Sequence, residues 1–232
     1  PVIRIPLSTP QPIRTFLVIW TILKHAYRSD ILYALDTYSP GLGTLIAHWI
    51  LHKPFVLRFT GDSAWELLFN QGKISDYIIT FQKKWYGLRA AFLKFRRTII
   101  LRGADRIITD CRFLKDLVGI IGIETGKVTI IHNPAGELPE IPEFDPAEFK
   151  RKKGAGGKVI LSMSRLVPWK GLRVIIELMP KLLCSFPALQ LWIAGDGPDE
   201  SALKELVRKL HLENSVLFLG NVGDKTEKRK LY

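Results

Sequence analysis

The chain has 232 residues, 47% of them hydrophobic and 24% charged, a balance that buries a core and excludes a disordered or fibrous polypeptide. Its longest apolar run, residues 16–23, is well short of the roughly 20 residues that span a bilayer, and its two cysteines, Cys111 and Cys184, stand in separate segments outside any Cys-x-x-Cys, which excludes a disulfide or zinc framework. The formal net charge is +12, and residues 81–106 alone carry eight basic side chains against one aspartate, so one segment is suited to anionic surfaces or ligands without choosing among them.

In chain order, apolar periodicity predicts a helix over residues 13–27, then a strand over 30–35 and a turn over 36–40. A helix over 41–52 ends at Lys53-Pro54, and a strand over 55–59 stops at Thr60-Gly61-Asp62. Further strands are predicted at 77–81, 106–109 and 128–131, with a long helix over 84–101. Strand and helix in alternation imply a parallel sheet. Residues 136–157 change texture to proline, acid, a Lys150-Arg151-Lys152-Lys153 run and then glycine, a linker composition in which few buried contacts are expected. The alternation then restarts, with strands at 159–164, 189–194 and 216–219 and helices at 171–185 and 199–210. The expected organisation is a first α/β domain over 1–135, a linker over 136–157 and a second α/β domain over 158–232.

The first strand of the second domain runs into Ser164-Arg165-Leu166-Val167-Pro168-Trp169-Lys170-Gly171, placing a guanidinium and an ammonium on a loop that leads to a helix N-terminus. Such a terminus presents N–H groups and a positive dipole end to an anion, and open α/β sheets bind ligands beyond the carboxyl ends of their strands. Arg165 suits a phosphate in fork geometry and Lys170 supplies a point charge; two solvated loop charges remain the plain alternative. The next strand runs into Gly195-Asp196-Gly197-Pro198. A dinucleotide fingerprint needs a third glycine at position 200, where glutamate stands, so turn geometry explains this pair of glycines better than a cofactor does.

Ser164 to Gly171, then Leu191-Trp192-Ile193-Ala194-Gly195-Asp196-Gly197-Pro198, then Val216-Leu217-Phe218-Leu219-Gly220 together resemble glycosyltransferase family 4. Ala104-Asp105-Arg106-Ile107-Ile108-Thr109 and Lys127-Val128-Thr129-Ile130-Ile131-His132-Asn133-Pro134 are similar to segments of that family's acceptor domain, and the resemblance covers roughly residues 30–232. It implies a GT-B fold of two Rossmann-like domains with a cleft between them. It also implies retaining transfer from a nucleotide-sugar donor to a glycan or lipid-linked acceptor of the cell envelope, with no cofactor and no essential metal. Arg165 and Lys170 then bind the donor diphosphate, and Gly171, Gly195, Asp196, Gly197, Gly220 and Asn221 form the loops around it. Where many family members place a histidine, this chain reads Arg58-Phe59-Thr60-Gly61-Asp62-Ser63-Ala64-Trp65-Glu66. Asp62 is the nearest catalytic candidate, with Gly61 beside it on the acceptor side. The competing reading is a helix start, with Ser63 and Glu66 forming a capping box. By the same resemblance, the family's Gly-rich loop and its paired glutamates fall outside these 232 residues, so both domains are expected to be incomplete and the chain alone to have little or no transferase activity.

Three further features are open to two readings each. The predicted helix over 84–101 has Trp85, Leu88, Phe92, Phe95 and Ile99 at spacings of three and four, among Lys83, Lys84, Arg89, Lys94, Arg96 and Arg97. It is read either as a membrane contact through Trp85, Arg89, Phe92, Arg96 and Arg97, on an anionic bilayer, or as a core-packed helix with a solvated basic back. His48 and His52 have metal-ligand spacing, but with no third ligand evident they are expected to be ordinary surface or interdomain histidines, and no metal is expected. Gly43 opens a helix after a strand and lies either at the acceptor-side cleft or in a simple turn. The expected location is cytoplasmic, peripheral on the inner face of the plasma membrane. Rival functions are a catalytically silent transferase acting as a binding subunit, and a nucleic-acid-binding α/β protein, although nucleic acid is the less expected partner.

Overall fold

The computed structural model describes residues 2–6, 8–134, 140 and 144–231. It divides into two compact units, Pro1–Pro134 and Ala135–Tyr232. In the first, the described elements are α1 (Gln11–Ala26), β1 (Leu32–Ala34), α2 (Ser39–Leu51), β2 (Phe55–Arg58), α3 (Ser63–Asn70), α4 (Ile78–Lys83), α5 (Leu88–Gly103), β3 (Arg106–Thr109), α6 (Arg112–Ile120) and β4 (Val128–Ile130). All neighbouring strands pair in parallel in the order β1-β2-β3-β4, as short strands joined by helical crossovers require. Phe55 and Leu57 of β2, Ile107 of β3 and Val128 of β4 are buried with Leu45 and Ala47 of α2 and Ile100 and Leu101 of α5.

The second unit holds α7 (Pro146–Lys152), β5 (Val159–Met163), α8 (Leu172–Ser185), β6 (Gln190–Ala194), α9 (Glu200–Lys209), β7 (Val216–Gly220) and α10 (Lys225–Leu231). Its sheet is parallel, in the order β5-β6-β7. Leu191 and Ile193 of β6, Ile176 and Met179 of α8, and Leu203 and Val207 of α9 form one buried cluster with Leu166 and Val216. That is the α/β architecture of parallel sheets flanked by helices that the alternation predicts.

Three expectations are corrected. Residues 77–81 are not a strand: Ile78–Lys83 is helical, because Ile78 and Phe81 bury the same helical face and Gln82 donates to the Ile78 carbonyl at 2.9 Å. The helix predicted from residue 84 starts at Leu88, after an extended Lys84 and a Gly87 at φ 87°. The 136–157 segment falls partly outside the described residues, and its described part is more than a spacer. It forms α7, whose Phe149 ring meets Trp192 of the sheet edge-on at 6.4 Å between centroids, and it buries Ala155. No helix among the described residues is long and apolar enough to cross a membrane.

Candidate functional site

In the second unit, the carboxyl ends of β5, β6 and β7 open into three loops that bond to one another. Ser164 N–H donates to the Ala194 carbonyl at 3.0 Å, Leu166 N–H to the Asp196 carbonyl at 2.7 Å, and Gly195 N–H to the Gly220 carbonyl at 2.7 Å. Asn221 Nδ2 donates to Asp196 Oδ2 at 3.2 Å. A side chain at Gly195 would collide with the Ser164 carbonyl, and one at Gly197 with the Leu166 carbonyl; the glycines are there so that the β5 and β6 loops can touch. Pro168–Lys170 make a 3-10 turn, and Gly171 (φ 73°) is the N-cap of α8.

Arg165 and Lys170 are exposed on this end of the sheet, and neither makes an ion pair among the described residues. The Ser164 hydroxyl beside them is shielded from solvent and lacks a hydrogen-bond partner among the described residues, a cost that folded proteins normally avoid. Two cations without an ion pair among the described residues, a helix N-terminus and an orphaned hydroxyl stand at the carboxyl ends of these parallel strands, where α/β sheets receive ligands. The donor-side residues expected from sequence lie on these three loops or, for Gly220, at the end of β7; Ser164 opens the quoted motif, but nothing local marks its hydroxyl as orphaned.

The first unit is organised differently from the expectation. Asp62 is fully buried, and it caps α3: its Oδ1 accepts from Ala64 N–H at 3.0 Å and Trp65 N–H at 3.3 Å. Its Oδ2 accepts from Gln82 Nε2 at 2.8 Å and from the Arg97 guanidinium. Gln82 Oε1 accepts from Arg97 in turn, at 2.9 Å, closing a network. A carboxylate engaged in this way holds the fold together and does not face a sugar or an acceptor hydroxyl, so the catalytic expectation for Asp62 is corrected. Burial draws the Arg97 guanidinium below its ordinary pKa, against the opposing pull of Asp62. The expected capping box is corrected too: Asp62 is the cap, and the Ser63 hydroxyl bonds Thr37 at 2.6 Å. Arg97 is 3% exposed and leaves the set of membrane contacts, while Arg96 is half-buried. Trp85, Arg89 and Phe92 are exposed.

Gly43 is buried under Ile19 and Ile22 of α1. It brings two helices together and does not line a cleft. Gly61 lies at the carboxyl end of β2, where the Glu66 carboxylate occupies the space a side chain would need; Glu66 also accepts from the Tyr38 hydroxyl at 3.4 Å. His48 Nδ1–H donates to the Lys53 carbonyl at 2.7 Å, and His52 ends α2 in a left-handed turn. Neither belongs to a three-residue metal cluster among the described residues. The carboxyl ends of β2, β3 and β4 also gather Arg58, Asp110, His132 and Asn133: Arg58 donates to Asn133 Oδ1, Asn133 to Asp110 at 3.4 Å, and His132 to the Asp110 carbonyl at 2.8 Å. The sequence reading quoted His132-Asn133 as a motif without giving it this role.

The second unit is Rossmann-like, with parallel strands whose carboxyl-end loops interlock, and the comparisons narrow its class. Residues 143–232 match the family described as Glycosyl transferases group 1. Over 206 residues, 85% of the chain, it is 28% identical to the alpha-monoglucosyldiacylglycerol synthase of Streptococcus pneumoniae, of which it spans 43%. Over 102 residues, 40% of the chain, it is 34% identical to a GDP-mannose-dependent monoacylated alpha-(1-6)-phosphatidylinositol monomannoside mannosyltransferase of Corynebacterium glutamicum, spanning 26% of that protein. Among solved structures it is similar to Anabaena HepE in complex with UDP-glucose (TM-score 0.68, 19% identity, 88% of this chain and 52% of that one). It is also similar to the sucrose-phosphate synthase of Thermosynechococcus elongatus (TM-score 0.68, 15% identity, 100% of this chain and 55% of that one). These likenesses show the fold, that of GT-B glycosyltransferases. With the family match and the glycosyltransferase relatives, they support a glycosyltransferase at a general level.

Proposed function

We propose that the chain belongs to an enzyme that moves a glycosyl group from a nucleotide-sugar donor, held by the second unit, to a hydroxyl of a glycan or lipid-linked acceptor, held by the first. The observation that carries this reading is the pair Arg165 and Lys170, exposed and without ion-pair partners among the described residues, at the carboxyl end of β5 ahead of the α8 N-terminus. When the bond between the anomeric carbon and the phosphate oxygen breaks, negative charge grows on the departing nucleoside diphosphate. Cations already in place stabilise that charge without reorganising, and removing one such group typically slows the step by about 10²–10³-fold. Because these cations can meet the charge, the chemistry needs no essential metal. Retention at the anomeric carbon follows from the resemblance to family 4.

A UDP-sugar is the donor to try first, since the similar HepE structure is described as a UDP-glucose complex. The 232-residue chain should be melted with UDP, GDP, ADP and inorganic pyrophosphate in turn. A nucleoside diphosphate at 100 times its dissociation constant stabilises by about 2.7 kcal/mol, an upward shift easily read in a melt. Arg165→Ala and Lys170→Ala should each shrink that shift. An undiminished response in both variants, or no response to any nucleotide, would remove the donor site from this loop.

A further inference from the structure

Four large apolar side chains that a soluble fold would normally cover lie in the open at the start of α5. Trp85 is 70% exposed, Leu88 82%, Phe92 61% and Phe95 62%. Leu88, Phe92 and Phe95 are spaced at i, i+4 and i+7 on one face of the helix, and Trp85 precedes them by three residues. The opposite face, through Ala90, Leu93, Arg97 and Ile100, is the buried one. The apolar stripe therefore does not serve the core, and single exposed hydrophobics do not explain four in a row.

Along the segment that carries the stripe the charge has one sign. Residues 83–104 contain seven Lys or Arg and no carboxylate. Arg97 is taken up by Asp62 and Lys84 by Asp76, Lys94 bonds backbone carbonyls and Arg102 lies in the last turn of α5, which leaves exposed Lys83 and Arg89 and half-buried Arg96 near the aromatics along the chain. The turn that presents Trp85 is fixed on both sides. Lys84 Nζ and the Tyr86 hydroxyl both donate to Asp76, and Lys94 Nζ donates to the carbonyls of Phe81 and Lys84. An exposed tryptophan between two anchored neighbours is displayed, not frayed.

Position adds a third argument. Asp105, just past the end of α5, bonds to Phe55 at the start of β2, so α5 runs back towards the amino ends of the strands. Arg97 meets Asp62, which already lies beyond the last residue of β2. At 1.5 Å per residue, Leu88 stands about 13 Å further out than Arg97. The apolar stripe thus projects past the carboxyl edge of the first sheet, the edge where α/β sheets receive ligands.

We infer that Trp85, Leu88, Phe92 and Phe95, ringed by Lys83, Arg89 and Arg96, form a docking face for an anionic lipid bilayer, holding the ligand-receiving edge of the first unit at the membrane surface. An amphipathic helix buries such a face at the headgroup boundary while its cations meet anionic headgroups. The aromatic content suits the interface, and the cations of the segment, with Asp76 already paired to Lys84, suit negative lipid. This docking does not depend on the sugar-transfer reading, and its test uses no sugar donor.

Sedimentation of the full chain with vesicles of phosphatidylcholine alone, and with 30% phosphatidylglycerol added, should show at least about tenfold stronger binding to the anionic vesicles, weakening as salt rises. Leu88→Ser with Phe92→Ser, both at exposed positions, should lose about tenfold or more of that binding while keeping the parent's circular dichroism and melting temperature. Independently of any effect on folding, brominated lipid should quench part of the parent's tryptophan fluorescence, and Trp85→Phe should abolish that part. Equal binding to neutral and anionic vesicles, parent-like binding by the double serine variant, or quenching that survives Trp85→Phe would each overturn the proposal. So would a parent that is dimeric in solution and a serine variant that is monomeric, since the face would then cover a second copy of the chain.

Discussion

Asp62 and Arg97 hold each other where neither can be replaced alone. Both are buried, and Gln82 bonds to both. Removing one partner strands the other charge in a medium that cannot solvate it, which costs about 3–5 kcal/mol. Arg97→Met should therefore lower the urea midpoint sharply, and Asp62→Asn combined with it should recover much of the loss; a single variant as stable as the parent would mean that the pair is not closed in solution. Tyr38 makes a pH prediction with a definite sign. Burial first, then Glu66, push its hydroxyl up to about 12, so the folded state holds the proton more tightly than the unfolded chain, whose tyrosine titrates near 10. The stability this gives is complete below about pH 10 and is lost as pH rises through about 12. Tyr38→Phe should flatten that part of the stability profile measured by chemical denaturation. At this scale the sequence was legible for local roles and illegible for distant ones. Aspartate ahead of Ser63-Ala64-Trp65 reads as a helix start from neighbouring residues alone. That its other oxygen meets an arginine 35 positions later depends on how α3 and α5 pack, and no local pattern records it.

Elements were legible where periodicity and punctuation agreed. Pro54 and Gly61-Asp62 bracket β2, and β5 to β7 each run into glycine or a charged loop, so their positions follow from the pattern. Tyr77-Ile78-Ile79-Thr80-Phe81 misleads because β-branched and aromatic residues favour strands, while five residues are too few to separate a buried strand from a buried helical turn. Burial of Ile78 and Phe81 on one side decides for helix. The basic helix shows the same limit: its apolar stripe was visible, but which stripe turns inward was not, and Ala90, Leu93 and Ile100 prove to be the core side. The α1–α2 contact is sensitive in turn, because Gly43 lies directly under Ile19 and Ile22. Gly43→Val should separate these helices and cost about 1–3 kcal/mol from overpacking, read as a lower midpoint in thermal or urea unfolding; an unchanged midpoint would show that the helices can slide apart freely.

Across the whole molecule, two parallel sheets each gather hydrogen-bonded polar side chains at the carboxyl ends of their strands. That arrangement was readable from the alternation and the restart after the proline-rich stretch, and the close approach of the β5 and β6 loops follows from Gly195 and Gly197. What composition hid was that α7 packs against the second sheet, since a run of four basic residues reads as solvated chain until Phe149 is seen against Trp192. Hydrogen exchange should separate the two proposed activities. A nucleoside diphosphate should slow exchange in residues 162–172, 194–198 and 219–222, whereas anionic vesicles should slow it in residues 83–96; protection spread evenly over both units in either experiment would contradict the assignment. The interlock of the β5 and β6 loops, with backbone at Ser164 and Leu166 lying against Gly195 and Gly197, limits how the proposed donor site could be re-engineered. Grafting either loop alone from a relative would meet its unaltered neighbour in steric conflict, so a successful exchange would have to transplant both segments together.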